Sequence, residues 1–172
     1  MTSLYDITVP FLINALKAEQ HLLAQAEAFA TEKGTPISEL LETRLAPDMW
    51  PLSQQFVISA LHAAMTVLKL TGTPPNKIEF GPASLEDTKK YLSETLDLLA
   101  AVKPEDVNGK EGEKVTAMMG AGAEVPMKAV DYVQGYLTPN VYFHLTTIYD
   151  ILRSKGAPLS KKDFVQTFVR LA

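Results

Sequence analysis

Apolar residues recur at three- and four-residue spacing in four long stretches of the chain, separated by segments rich in proline and glycine. The first runs from about Thr8 to Lys33, where Gly34, Thr35 and Pro36 stop it, and Pro10 is tolerable only near its first turn. The second runs from about Leu52 to Leu70 and closes at Gly72, ahead of Pro74 and Pro75. The third starts behind Ser84, which pairs with Asp87 as a capping box, and extends to about Lys103 before Pro104 ends it. The fourth, TPNVYFHLTTIYDILRSKGAPL over 138–159, has Thr138 as its cap and Pro139 at its first position; Gly156 and Pro158 close it. Short helices are expected in ISELLETRL and in KKDFVQTFVRL, the latter docking through Phe164, Phe168 and Leu171. Residues 73–83 read as a surface crossing, EKVTAMM and VPMKAV suggest a small hairpin around GAGAE, and DYVQGYL fits either a helical turn or a strand. The pattern predicts an all-α fold: an antiparallel four-helix bundle with short extra helices and a small β-hairpin before the last long helix, in one domain over 1–172.

Polar residues on the apolar arcs are the candidates for chemistry. Glu19 falls near the centre of the first helix's arc, where a carboxylate is costly unless paired, hydrogen-bonded or protonated. It is either a structural ion pair or a carboxylate facing a cavity. Gln54 falls within the second helix's arc and needs a partner from another helix or water. His144 lies at the edge of the stripe formed by Val141, Leu145, Ile148 and Leu152. It is either a core histidine or one wall of a polar pocket shared with Glu19, Gln54 and Asn140, with Tyr142, Tyr149 and Tyr132 as hydroxyl donors. His21 points away from its helix's arc, and His62 shares an outward face with Gln55, Ser59, Thr66 and Lys69. In RLAPDMWPL, an Arg44–Asp48 bridge would hold the corner before the second long helix while Trp50 plugs the bundle end. If that corner overhangs the pocket, Asp48 and Trp50 become ligand contacts.

Composition narrows the partners. At 172 residues and 47% apolar content there is enough material for one well-buried domain. The net charge of −4 is interspersed, with no basic cluster denser than Lys161-Lys162, so nucleic acid and anionic membrane are not expected partners. The absence of cysteine removes thiolate nucleophiles and sulfur ligands, and no HExxH pair, glycine-rich phosphate loop or catalytic serine motif occurs. No basic leader or long apolar run is seen near the first residues, so a cytoplasmic protein is expected.

The segments TSLYDITVPFLINALKA, LLETRLAPDMWPLSQQ and PNVYFHLTTIYDILRSKGAPLSKKDF resemble a domain-of-unknown-function family grouped with the DinB/YfiT-like helical bundles. The resemblance implies a four-helix bundle and a homodimer, and it implies no activity. Metal-binding members of the wider group carry one histidine on the second helix and two, one turn apart, near the start of the fourth. Here Asn140 precedes His144 by one turn and Ile148 follows it by one, so no metal site and no cofactor are expected. The leading reading is a small-molecule-binding bundle, whose enzymatic form would be cofactor-free acid–base chemistry by His144 and Glu19 on an organic substrate. The alternatives are a DinB-like divalent-metal enzyme and a non-catalytic dimeric interaction module.

Overall fold

The computed structural model describes residues 2–120 and 122–169. The first helix, α1, spans Leu4–Lys33. It begins earlier than its apolar pattern suggests because Ser3 and Asp6 form a reciprocal capping box, with Ser3 N donating to Asp6 Oδ2 at 3.0 Å and Asp6 N to Ser3 Oγ at 3.2 Å. Pro10 therefore sits inside the helix rather than at its start. After the short α2, Ile37–Leu41, the chain turns a corner to α3, Leu52–Thr71. Gly72 closes α3 in the left-handed conformation at φ 78°, as expected of a glycine at that position. Ser84 caps α4, Leu85–Ala100, by accepting from Asp87 N. The helix stops short of Lys103 because Pro104 disfavours helical geometry in the residue before it; Pro104 instead opens α5, Pro104–Val107.

The hairpin forms as β1, Lys114–Met119, and β2, Ala123–Lys128, antiparallel with Lys114 opposite Lys128 and Met119 opposite Ala123. Pro126 is tolerated because each strand of a two-stranded sheet has a free edge. DYVQGYL resolves as helix: α6, Ala129–Asp131, passes into a π-helical segment, Tyr132–Leu137, and directly into α7, Thr138–Ser154. Thr138 is consequently no N-cap. Its backbone is helical, and its hydroxyl donates to the Val133 carbonyl five residues back at 2.8 Å. Lys161–Val165 forms α8. Phe164 of this helix and Phe168 just beyond it pack against the core as expected, and Leu171 lies outside the described residues.

The fold is an all-α bundle in which α3 packs on α4 and α7, and α1 packs on α7 and α4. Gln55 meeting His144, and Thr66 meeting Tyr132, make α3 antiparallel to the helical run through α7. The smaller α1–α3 contact crosses the bundle, so α3 is enclosed by α4, α7, α1, α5 and β1. That enclosure buries Gln55, Ser59 and Thr66, which a helical wheel assigns to an outward face. No helix among the described residues is long and apolar enough to cross a membrane.

Candidate ligand site

On α3, Ile58, Leu61, His62, Met65 and Lys69 recur at three- and four-residue spacing and form one stripe. The π-helical segment places Tyr132 and Tyr136 against that stripe, and Met118 of β1 completes the wall of a pocket of about 140 Å³. π-helical turns carry one extra residue per turn and concentrate at functional sites. Both tyrosine hydroxyls are engaged: Tyr136 Oη donates to the Met118 carbonyl at 2.8 Å, and Tyr132 Oη lies 3.1 Å from Thr66 Oγ1. Burial pushes Tyr132 up to about 12, so it stays a phenol. His62 is held by ring stacking, against Tyr136 at 5.6 Å and His144 at 5.9 Å, and its nitrogens are without side-chain partners among the described residues.

Behind His62 the rings continue to the surface. Phe80, Trp50, His144, His62, Tyr136 and Tyr132 form a column with successive centroids 5.4 to 6.4 Å apart. His144 lies within it, 4% exposed, parallel to Trp50 on one side and His62 on the other. Gln55 fixes its protonation. The Gln55 amide donates through Nε2 to the Trp50 carbonyl at 3.0 Å, and because a carbonyl only accepts, Oε1 is the atom facing His144 Nδ1 at 2.8 Å. His144 Nδ1 must then be the donor, which leaves the lone pair of the neutral ring on Nε2. Burial, and then the proximity of His62, lower His144 to about 4; burial lowers His62 to about 4. Both imidazoles are neutral at neutral pH.

Glu19 lies elsewhere, 0% exposed at the α1–α3 crossing, where Ser59 Oγ donates to its Oε1 at 2.5 Å. Its Oε2 is buried and has no hydrogen-bond partner among the described residues, and burial raises its pKa well above the ordinary carboxylate value, outweighing the Ser59 bond that lowers it. Burial thus favours the protonated, uncharged form of this side chain inside the bundle.

The structure does not join the expected quartet of Glu19, Gln54, Asn140 and His144 into one pocket. Gln55, not Gln54, meets His144, and Asn140 turns back to donate to the Tyr136 carbonyl at 2.7 Å. Tyr142 packs with Phe11 and Phe168, and Tyr149 with Phe164; of the three tyrosines considered, Tyr132 reaches the pocket. The Arg44–Asp48 bridge does not form, because Arg44 Nη1 donates to the Met49 carbonyl at 2.5 Å while Asp48 is exposed. Trp50 does not plug the bundle end as a buried residue would: it is 44% exposed and stacks on His144. His21 is not simply solvated, since its Nε2 lies 2.9 Å from Asp163 and ties α8 to α1. The residues that sequence reasoning missed are His62, Gln55 and Tyr136. For His62 a signal existed in its continuity with Ile58 and Met65.

The sequence matches the family described as Domain of unknown function (DUF1993) over residues 4–165. The chain belongs to this family. It is also similar to the crystal structure of a DinB family member protein from Shewanella denitrificans, with a TM-score of 0.81 and 28% identity over 94% of this chain and 91% of that one. None of the curated proteins matches it. As a DUF1993 bundle of DinB-like fold, the chain can be tested for a DinB-type histidine site. The histidines of α3 and of the start of α7 are His62 and His144, with Asn140 one turn before His144. A shared metal needs ring edges converging at about 2 Å, whereas His62 and His144 stack face to face at 29° and Asn140 is turned to the backbone. Among the described residues no three His, Cys, Asp or Glu side chains are grouped to hold a metal. The residues present do not fit one.

Proposed function

We propose that this DUF1993 chain is a small-molecule-binding helical bundle whose ligand enters the pocket between α3, the π-helical segment and β1, with His62 as its polar anchor. The observation that carries the reading is the pairing of an apolar wall with one uncommitted imidazole: Ile58, Leu61, Met65 and Met118 supply the wall, and among the described residues no side chain partners the His62 nitrogens, whereas both tyrosines there have spent their protons. Binding is favoured over catalysis by resting groups, because an imidazole lowered to about 4 is a weak base at neutral pH. The pair His62 and His144 would become acid–base machinery only with a ligand that raises its proton affinity. Glu19, sealed against Ser59, takes no part in this reading.

The test is a thermal-shift screen of small organic acids, amides and phenols on the wild type and on His62→Ala and Leu61→Trp. Fragments that stabilise the wild type should lose that effect in both variants, with far-UV circular dichroism unchanged. Equal stabilisation of all three proteins would place binding elsewhere and defeat the reading.

A further inference from the structure

The polar inventory of the pocket specifies the kind of molecule it accepts. Tyr136 Oη and Tyr132 Oη spend their protons on Met118 O and Thr66, so the free donors along the wall are the His62 ring and the Lys69 ammonium. Lys69 is half-buried in the last turn of α3 and makes no ion pair among the described residues, and no carboxylate lines the pocket. His62 and Lys69 stand seven residues apart on one face, about 10 Å along the helix axis. A helical side chain leans toward the N-terminus, the direction in which Met65 and His62 lie from Lys69 along the same pocket wall. The free donating capacity is therefore one neutral imidazole and one cation, set in apolar and aromatic walls. The only full charge along the wall is positive.

We propose that the pocket takes a small carboxylate with an apolar, ring-sized body, its anion held between the His62 imidazole and the Lys69 ammonium. The proposal rests on the reading of this pocket as a ligand site. The body lies against Ile58, Leu61, Met65 and Met118 and beside the Tyr136 ring, where a flat ring is accommodated by offset or edge contact. The carboxylate occupies the polar end. There it gives Lys69 the counter-ion that none of the described residues supplies. The groups facing His62 are His144 of α7, Tyr136 and Tyr132 of the π-helical segment, and Lys69 of its own helix, none of them anionic at neutral pH. The bound anion would be the sole negative charge beside the imidazole, and binding should bring a proton onto His62 as pH falls below neutrality.

The experiment measures benzoate and benzamide, equal in shape and different in charge, against wild type, Lys69→Met and Lys69→Arg by NMR titration, following the His62 ring and the Met65 and Met118 methyls. The expected result is that benzoate binds the wild type more tightly than benzamide. Lys69→Met should weaken benzoate alone by about twofold to fivefold, the loss of one half-exposed charge pair, and Lys69→Arg should restore it. Benzoate should also move the His62 titration upward, and benzamide should not. Equal binding of the two compounds, with the pocket methyls shifting, would overturn the carboxylate assignment and leave the ligand site standing. Failure of both to shift those methyls would overturn the assignment together with the site it depends on.

Discussion

Buried titratable groups in this protein push stability in opposite directions with pH. His62 and His144 have folded values of about 4 against 6.5 in the unfolded chain. Above pH 6.5 both states are neutral; below it the unfolded chain takes up protons that the fold refuses, so stability is lost as pH falls from 6.5 to about 4. Glu19 behaves in the reverse sense, because burial raises its folded value above 4.5: it is protonated in both states at low pH, and the unfolded chain ionises first as pH rises. Its contribution is therefore lost upward from about pH 4.5 through the folded value. Urea unfolding of wild type and Glu19→Gln at pH 5 and pH 8 separates the two. The variant should gain on wild type between those pH values by roughly 1 to 3 kcal/mol, the scale of a buried polar group's desolvation. His62→Gln should instead flatten the slope between pH 6.5 and 4. At this scale the sequence made Glu19 and His144 legible as buried polar groups, because each lies on or beside an apolar arc. It could not show that they are buried apart from one another, since that depends on which helix faces meet.

Among the elements, the π-helical segment does most to build the site. It begins at Tyr132 and ends at Leu137, and its wide turn holds both Tyr132 and Tyr136 against α3. Gly135 is exposed, with nothing within 4 Å of where a Cβ would stand, so deleting it removes no packing contact. The deletion returns the segment to an α register and turns Tyr132 and the hairpin by about 100° relative to α7. The expected outcome is loss of the Tyr132–Thr66 hydrogen bond and of fragment binding, with unfolding free energy lower by roughly 2 kcal/mol. Gly135→Ala, which keeps the residue count, should retain both binding and the bond. Termini governed by local chemistry were readable: Gly72, Gly156, Ser84 and the flanking prolines mark helix ends through backbone constraints that do not need tertiary context. The π-helical turn was not, because YVQGYL carries no residue that demands the extra position. What distinguishes the segment is tertiary: Tyr132 lies in the core and Tyr136 packs against it.

For the whole molecule, the bundle follows from four apolar stripes that have to be buried together, and the family motifs in RLAPDMWPL and PNVYFHLTTIYDILR point to the same architecture. The site follows less directly. A helical wheel divides α3 into an apolar and a polar face, but a helix surrounded by neighbours must bury both, and Gln55, Ser59 and Thr66 are accommodated by hydrogen bonds to His144, Glu19 and Tyr132. His62, on the same helix, is left facing the pocket. The pocket draws residues from three elements up to 78 positions apart, Ile58 to Tyr136, which no local pattern links.

The most direct test of the ligand-site account is a ¹³C-methyl methionine NMR spectrum recorded while a fragment set of small carboxylates, amides and phenols is added to the intact chain. Met65 and Met118 line the pocket; Met49 and Met127 do not. The account predicts that binding fragments shift Met65 and Met118 together and leave Met49 and Met127 in place, and that His62→Ala abolishes the shifts. It is contradicted if no fragment moves Met65 and Met118, or if the shifts fall on Met49 or Met127 instead.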